Sequence, residues 1–206
     1  MKNSNKFLAT LAVPVLLFSC EKNEIAPVVE LEAVMVENVE APGDVINRTT
    51  GEVEQVNPFV YYSLETNSLV NSVEENWDIG FKGTTIIVNN GVSGPGQALA
   101  AMVQGTFEEI NEVPAALTLR SDTANEFAIP TGSGNGWYNY NPASNIVSPI
   151  PGSIMLIKTN AGDYAKIEIL SYYKNNPPLS QVDGRNTPRA FYTFQYVLQQ
   201  NGSRNF

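Results

Sequence analysis

Two stretches near the end of the chain alternate apolar and polar side chains with a period of two. In Tyr164–Tyr172, Ala165, Ile167 and Ile169 share one face while Lys166 and Glu168 take the other. In Ala190–Gln199, Tyr192, Phe194, Tyr196 and Leu198 share a face opposite Thr193 and Gln195. A strand points successive side chains to opposite sides, whereas a helix returns to the same side every three or four residues, so this pattern demands strands. An apolar face backed by a polar one is the mark of antiparallel sheet with one dry side. The rest of the chain agrees. Phe59-Val60-Tyr61-Tyr62-Ser63-Leu64 is a β-rich run, and Ile79–Val88 is another, broken at Gly83. Asn89–Gly96 is a dense turn cluster. Asn160-Ala161-Gly162-Asp163 reads as the hairpin connection between Ile154–Thr159 and Tyr164–Leu170. Thr106–Asn111 is the one helical turn in prospect, with Glu108 and Glu109 near its start, where the dipole favours acids. The expected fold class is all-β or nearly so: many short antiparallel strands with at most one or two helical turns.

The opening segment has a different logic. Lys2 and Lys6 precede Phe7–Phe18, which is apolar apart from Thr10 and Pro14 and falls short of the roughly 20 residues that cross a bilayer. It ends at Leu17-Phe18-Ser19-Cys20, which resembles the lipobox of bacterial lipoproteins. Cys20 is the only cysteine of the chain, so no internal disulfide competes for it. The expectation is a signal peptide over 1–19, lipid attachment at Cys20, a tether with a candidate edge strand (28–36) within 20–57, and a β domain over 58–206. The acidic Glu21-Lys22-Asn23-Glu24 resembles tags that send lipoproteins to the outer face of the outer membrane; a solvated tether with no address is the alternative. The expected location is therefore the outer membrane, lipid-anchored, with the cell surface preferred and the periplasmic face left open. Removing 1–19 leaves 206 − 19 = 187 residues and a charge of 10 − 21 = −11. That balance argues against nucleic acid as a partner, since phosphate rewards Lys and Arg.

The inventory of reactive side chains is short. The chain has no histidine, which removes Ser-His-Asp triads, Cys-His dyads and His-based zinc sites together. The glycine cluster at 91–96 lacks the Lys-Ser or Lys-Thr of a phosphate loop. Glu108, Glu109 and Glu112 are neighbours, as they are on any solvated turn, so the chain is expected not to be an enzyme. The aromatics say more. Trp77 opens a strand, and Trp137-Tyr138-Asn139-Tyr140 follows the flexible Gly132–Gly136 run. Core packing explains both, yet alternate residues of the second must face outward, which makes Tyr138 and Tyr140 candidate ligand contacts.

In order, Tyr61-Tyr62-Ser63-Leu64, Trp77-Asp78-Ile79-Gly80-Phe81, the 89–96 turn, Val113-Pro114, Gly136-Trp137, Ala161–Ile167 with Ser171-Tyr172-Tyr173, and Tyr192-Thr193-Phe194-Gln195-Tyr196 are similar to the HmuY family of haem-binding surface lipoproteins. The resemblance spans about residues 58–200. It implies a β fold and a haemophore role, with haem taken from host carriers and passed to an outer-membrane receptor. In that family paired histidines, or paired methionines, clamp the iron from loops. Here the 120–136 loop has neither, and the stretch after Trp137 reads Tyr138-Asn139-Tyr140-Asn141-Pro142. Haem is thus a candidate cofactor with no His ligand. The remaining candidates are Met102 and Met155, in apolar strand-like runs, and Tyr138 and Tyr140, since tyrosine can hold ferric haem. Arg120, Lys158 and Arg189 are the cations available to propionates. A tetrapyrrole would need a flat apolar slot, expected between the loops at 120–136 and 138–150. The rival expectation is an interaction lipoprotein that kept the scaffold and lost the cofactor.

Overall fold

The computed structural model describes residues 31–206, so Cys20, the leader and the acidic tag lie outside the described residues. Strands account for nearly all regular structure. They are β1 (Val34–Glu40), β2 (Val45–Ile46), β3 (Val53–Gln55), β4 (Val60–Ser63), β5 (Ser68–Val70), β6 (Ile79–Lys82) and β7 (Thr85–Val88). There follow β8 (Leu99–Gln104), β9 (Tyr138–Asn141), β10 (Ile146–Pro149), β11 (Ser153–Lys158), β12 (Tyr164–Tyr173) and β13 (Arg189–Gln199). A single turn of 3-10 helix occupies Leu179–Gln181.

The two alternating segments are β12 and β13, paired antiparallel at the centre of a five-stranded sheet of order β1-β13-β12-β11-β8. A second sheet, of order β5-β4-β6-β7, packs on its apolar face. The joint is aromatic. Phe81 lies 4.6 Å from Tyr192 and 5.6 Å from Phe194, and Tyr62 meets Phe194 edge-on at 5.4 Å. Each such ring contributes on the order of 1.5–3 kcal/mol by leaving water. Two phenols also cross the joint as donors: Tyr192 Oη to the Gly83 carbonyl (2.8 Å) and Tyr196 Oη to that of Leu64 (3.0 Å).

Turn chemistry sets the hairpins. Gly83, at φ +55°, takes the first central position of the β6–β7 turn, which two-residue hairpins of this kind reserve for glycine. Gly162, at φ +99°, closes the β11–β12 connection. The 106–110 turn is capped reciprocally: Thr106 Oγ1 accepts from the Glu109 N–H, and the Glu109 carboxylate accepts from that of Thr106.

Among the described residues the compact unit begins at Leu31: β1 hydrogen-bonds along β13 and its Val39 is buried in the shared core. The polar face of β12 is not wet at Lys166, which is 6% exposed. Phe107, Val113 and the chain end at Phe206 cover that side, and Lys166 Nζ donates to the carbonyls of Phe107 (2.6 Å) and Ile110 (2.9 Å) beneath the two phenyl rings. Asp78 and Asp122 are buried latches. Asp78 accepts the N–H groups of Leu64 and Asn160, both at 2.8 Å, although burial still holds its carboxyl above the usual range. Asp122 accepts those of Val88 (2.9 Å) and Ala128 (2.7 Å).

The buried phenols make the fold sensitive to alkali. Burial pushes Tyr172 and Tyr196 up to about 12 and raises Tyr62 and Tyr192 too. In the unfolded chain these groups ionise near 10, so their stabilisation is complete below pH 10 and is lost as pH climbs towards 12. Tyrosinate absorbance at 295 nm is expected to rise for these four together with loss of near-ultraviolet circular dichroism. Independent titration of all nine tyrosines near pH 10 with the fold intact would contradict the packing.

Candidate functional site

Pairing along the chain brings three arginines from separate turns to one place. Arg48 sits in the β2–β3 turn, where Asn47 Oδ1 accepts the N–H groups of Thr49 (2.9 Å) and Thr50 (3.0 Å) and Gly51 adopts φ +78°. Arg185 sits in a turn whose Asp183 carboxylate accepts the N–H groups of Arg185 (2.8 Å) and Asn186 (3.2 Å). The Arg185 N–H is the main reason that this carboxyl lies below its usual range. Gly184 lets this turn press against the β9–β10 hairpin; a Cβ there would overlap the carbonyl oxygens of Ser144 and Asn145. Arg189 begins β13, beside Ala190, which holds a left-handed φ of +64°. For an L-residue with a Cβ that conformation costs roughly 1–2 kcal/mol, and strain of this kind gathers at functional sites.

These residues line a groove of about 640 Å³ between the β2–β3 hairpin and the ends of β10, β12 and β13, and an adjoining cavity of about 400 Å³ that shares Arg48 and Arg189. Val45, Ile46, Val147 and Tyr172 give the groove its apolar surface. Its acid, Asp44, is paired with Lys82 at 3.1 Å. The other ion pair among the described residues is Arg120–Glu126, so Arg48, Arg185 and Arg189 have no carboxylate within 4 Å there. In a chain with 21 acids and 12 bases, two such guanidiniums in the groove and a third in the adjoining cavity are an uneven use of charge.

Tyr172 completes the site. It is 5% exposed, with its ring 5.8 Å from that of Trp137 and 5.5 Å from that of Tyr192. Its hydroxyl meets no hydrogen-bond partner among the described residues, although the residue lines the groove. Burial pushes this phenol up to about 12, against a smaller downward pull from Arg189. At neutral pH it is an uncharged donor.

The four ligand candidates named from sequence are not brought together. Met155 is 0% exposed in the core and faces Met102 across the β8–β11 pairing; Met102 is half-buried and packs against the same cluster. Neither residue lines the groove. Tyr138, at the start of β9, is buried and accepts a hydrogen bond from Thr84 Oγ1 (3.2 Å); Thr84 itself lines the groove, so Tyr138 stands just behind it. Tyr140 is 42% exposed on the hairpin and donates to Asn145 Oδ1 (3.1 Å). Of the cations named from sequence, Arg189 reaches the groove, Arg120 is tied to Glu126, and Lys158 lines a separate cavity. The 120–136 loop does enclose about 310 Å³, but with its own residues and none from 138–150. The 138–150 hairpin instead lends Val147 to the groove on its other side and Asn145 to the adjoining cavity.

The sequence model of the HmuY protein matches residues 55–196, more than half the chain. The chain belongs to the HmuY family. Among solved structures, this HmuY-family protein is similar to the apo HmuY analogue TFO of Tannerella forsythia, with a TM-score of 0.46, 15% identity and coverage of 82% of this chain and 98% of that one. It is also similar to apo PinO of Porphyromonas gingivitis, with a TM-score of 0.48, 17% identity and coverage of 83% and 99%. At these values the likeness carries no argument about a ligand. No curated protein matches the chain.

Tested against haem, the HmuY-family groove divides. Its apolar walls and guanidiniums fit a porphyrin plane bearing carboxylates. The groove offers the iron neither histidine nor methionine: the chain has no histidine, and none of Met35, Met102 and Met155 lines it.

Proposed function

We propose that this HmuY-family chain is an exported lipoprotein, anchored in the outer membrane through Cys20, that binds a tetrapyrrole, haem or a close relative, for haem or iron acquisition and hands it to an outer-membrane receptor. It acts by binding, not by catalysis. The observation that carries the reading is the groove: about 640 Å³ falls within the roughly 300–1,000 Å³ of small-molecule sites, with apolar walls and cations at one end. Tyr138 supports the groove from behind Thr84, and Tyr140, bonded to Asn145 of the adjoining cavity, is a secondary contact from the hairpin.

Hemin titrated into the purified protein is expected to give a saturable shift of the Soret band at micromolar concentration. An unchanged band in both oxidised and reduced forms would remove haem from the account. The second reading, a non-haem interaction lipoprotein, draws on the exposed Val45, Ile46, Val53 and Val56 of the β2–β3 hairpin, an apolar surface suited to a protein partner. A saturable Soret shift would reject it.

A further inference from the structure

We propose that the groove selects its ligand by carboxylates and ring face rather than by metal, so that metal-free porphyrin dicarboxylates bind as well as their iron complexes. The inference rests on the tetrapyrrole reading and deepens it by naming the recognised chemistry.

Three independent observations converge. First, Arg48 and Arg189 line the groove and Arg185 joins them in the adjoining cavity; the three come from separately ordered turns and have no carboxylate partner among the described residues. A guanidinium offers paired donors that match a carboxylate in two parallel hydrogen bonds, and two or three of them suit a ligand with two acids at one edge. Second, Tyr172 is more than nine-tenths buried and lines the same groove, and its hydroxyl has no hydrogen-bond partner among the described residues and is open to a ligand. A neutral phenol beside a guanidinium is a donor pair for a carboxylate oxygen. Third, Val45, Ile46 and Val147 supply apolar contact on the groove walls and no metal-binding atom. A planar, apolar molecule with clustered carboxylates satisfies all three, and its central atom is left unaddressed.

The decisive comparison is hemin against metal-free protoporphyrin IX, followed by quenching of protein tryptophan fluorescence, with Trp137, its ring 5.8 Å from that of Tyr172, as the near reporter. The two are expected to bind within about threefold of each other. The double variant Arg48→Gln/Arg189→Gln is expected to weaken both by roughly tenfold or more, since charge-assisted hydrogen bonds are the strong ones. Both arginines are exposed, and circular dichroism will show the variant folded. Tyr172→Phe is expected to weaken both ligands together, and added salt to loosen both. If hemin binds and protoporphyrin IX binds at least tenfold more weakly, iron is being read and the inference falls while the tetrapyrrole reading stands. If both bind but the arginine variant is indifferent, recognition by carboxylate is overturned. If neither binds, the inference and the reading beneath it fall together.

Discussion

Replacing Trp137 with alanine is expected to cost about 3–5 kcal/mol of folding free energy, the range for emptying a buried indole site. Trp137 is 2% exposed and touches three other rings: Tyr138 at 5.0 Å, Tyr192 at 5.2 Å and Tyr172 at 5.8 Å. Its indole N–H donates to the Thr84 carbonyl (3.0 Å), which ties the β6–β7 turn of the second sheet to the start of β9. Alanine therefore removes packing and leaves an unpaired carbonyl at once. The same change withdraws the support behind Tyr172, so ligand affinity should fall in the molecules that remain folded. Urea denaturation measures the first effect, and porphyrin titration of the folded protein the second. Trp137→Phe keeps a ring and loses the donor, and should fall between. A midpoint unchanged in the alanine variant would mean that the indole is not part of the core.

Asp122→Ala is the second large effect. The carboxylate is 1% exposed and accepts two buried N–H groups, from Val88 and Ala128. Truncation leaves both donors without a partner, at about 1–3 kcal/mol each, so a loss of about 2–5 kcal/mol is expected. For a domain of this size each kcal/mol lowers the melting temperature by roughly 2–4 °C. The backbone at Asp122 adds a second bond, its carbonyl accepting from Val92 N–H (3.2 Å), and Gly91 gives room for that approach, since a Cβ there would overlap the same oxygen. The variant should thus free the 120–136 loop from β7 before the rest unfolds, visible as faster amide exchange in that loop. A loss below about 1 kcal/mol, ordinary for a surface acid, would show that the latch carries no weight.

These two residues mark how far a sequence can be read. Trp137 stood out as a large apolar ring beside a strand, and burial was its default reading. Asp122 gave no such sign, because one acid in a Ser-Asp-Thr stretch looks like any turn residue until its neighbours are known. Lys166 misled for the same reason. Its alternation with Ala165 and Ile167 turns it away from the main core, as the period requires. A period of two, however, says which side chains share a face and nothing about what lies against the opposite one.

The sequence by itself determined the strand chemistry of β12 and β13, the glycine turns at Gly83 and Gly162, the absence of histidine and hence of histidine chemistry, and membership of the HmuY family. These are local or compositional properties, fixed by spacing and residue type. Only the tertiary structure decided that Met155 is core with Met102 packed against it, and that the groove is lined from β2, β10, β12 and β13. It alone brought Arg48 and Arg189 to the groove that Tyr172 lines, with Arg185 in the adjoining cavity. The pairing of β1 with β13 and the folding back of three distant turns create that site, and long-range contact of this kind leaves no period in a chain.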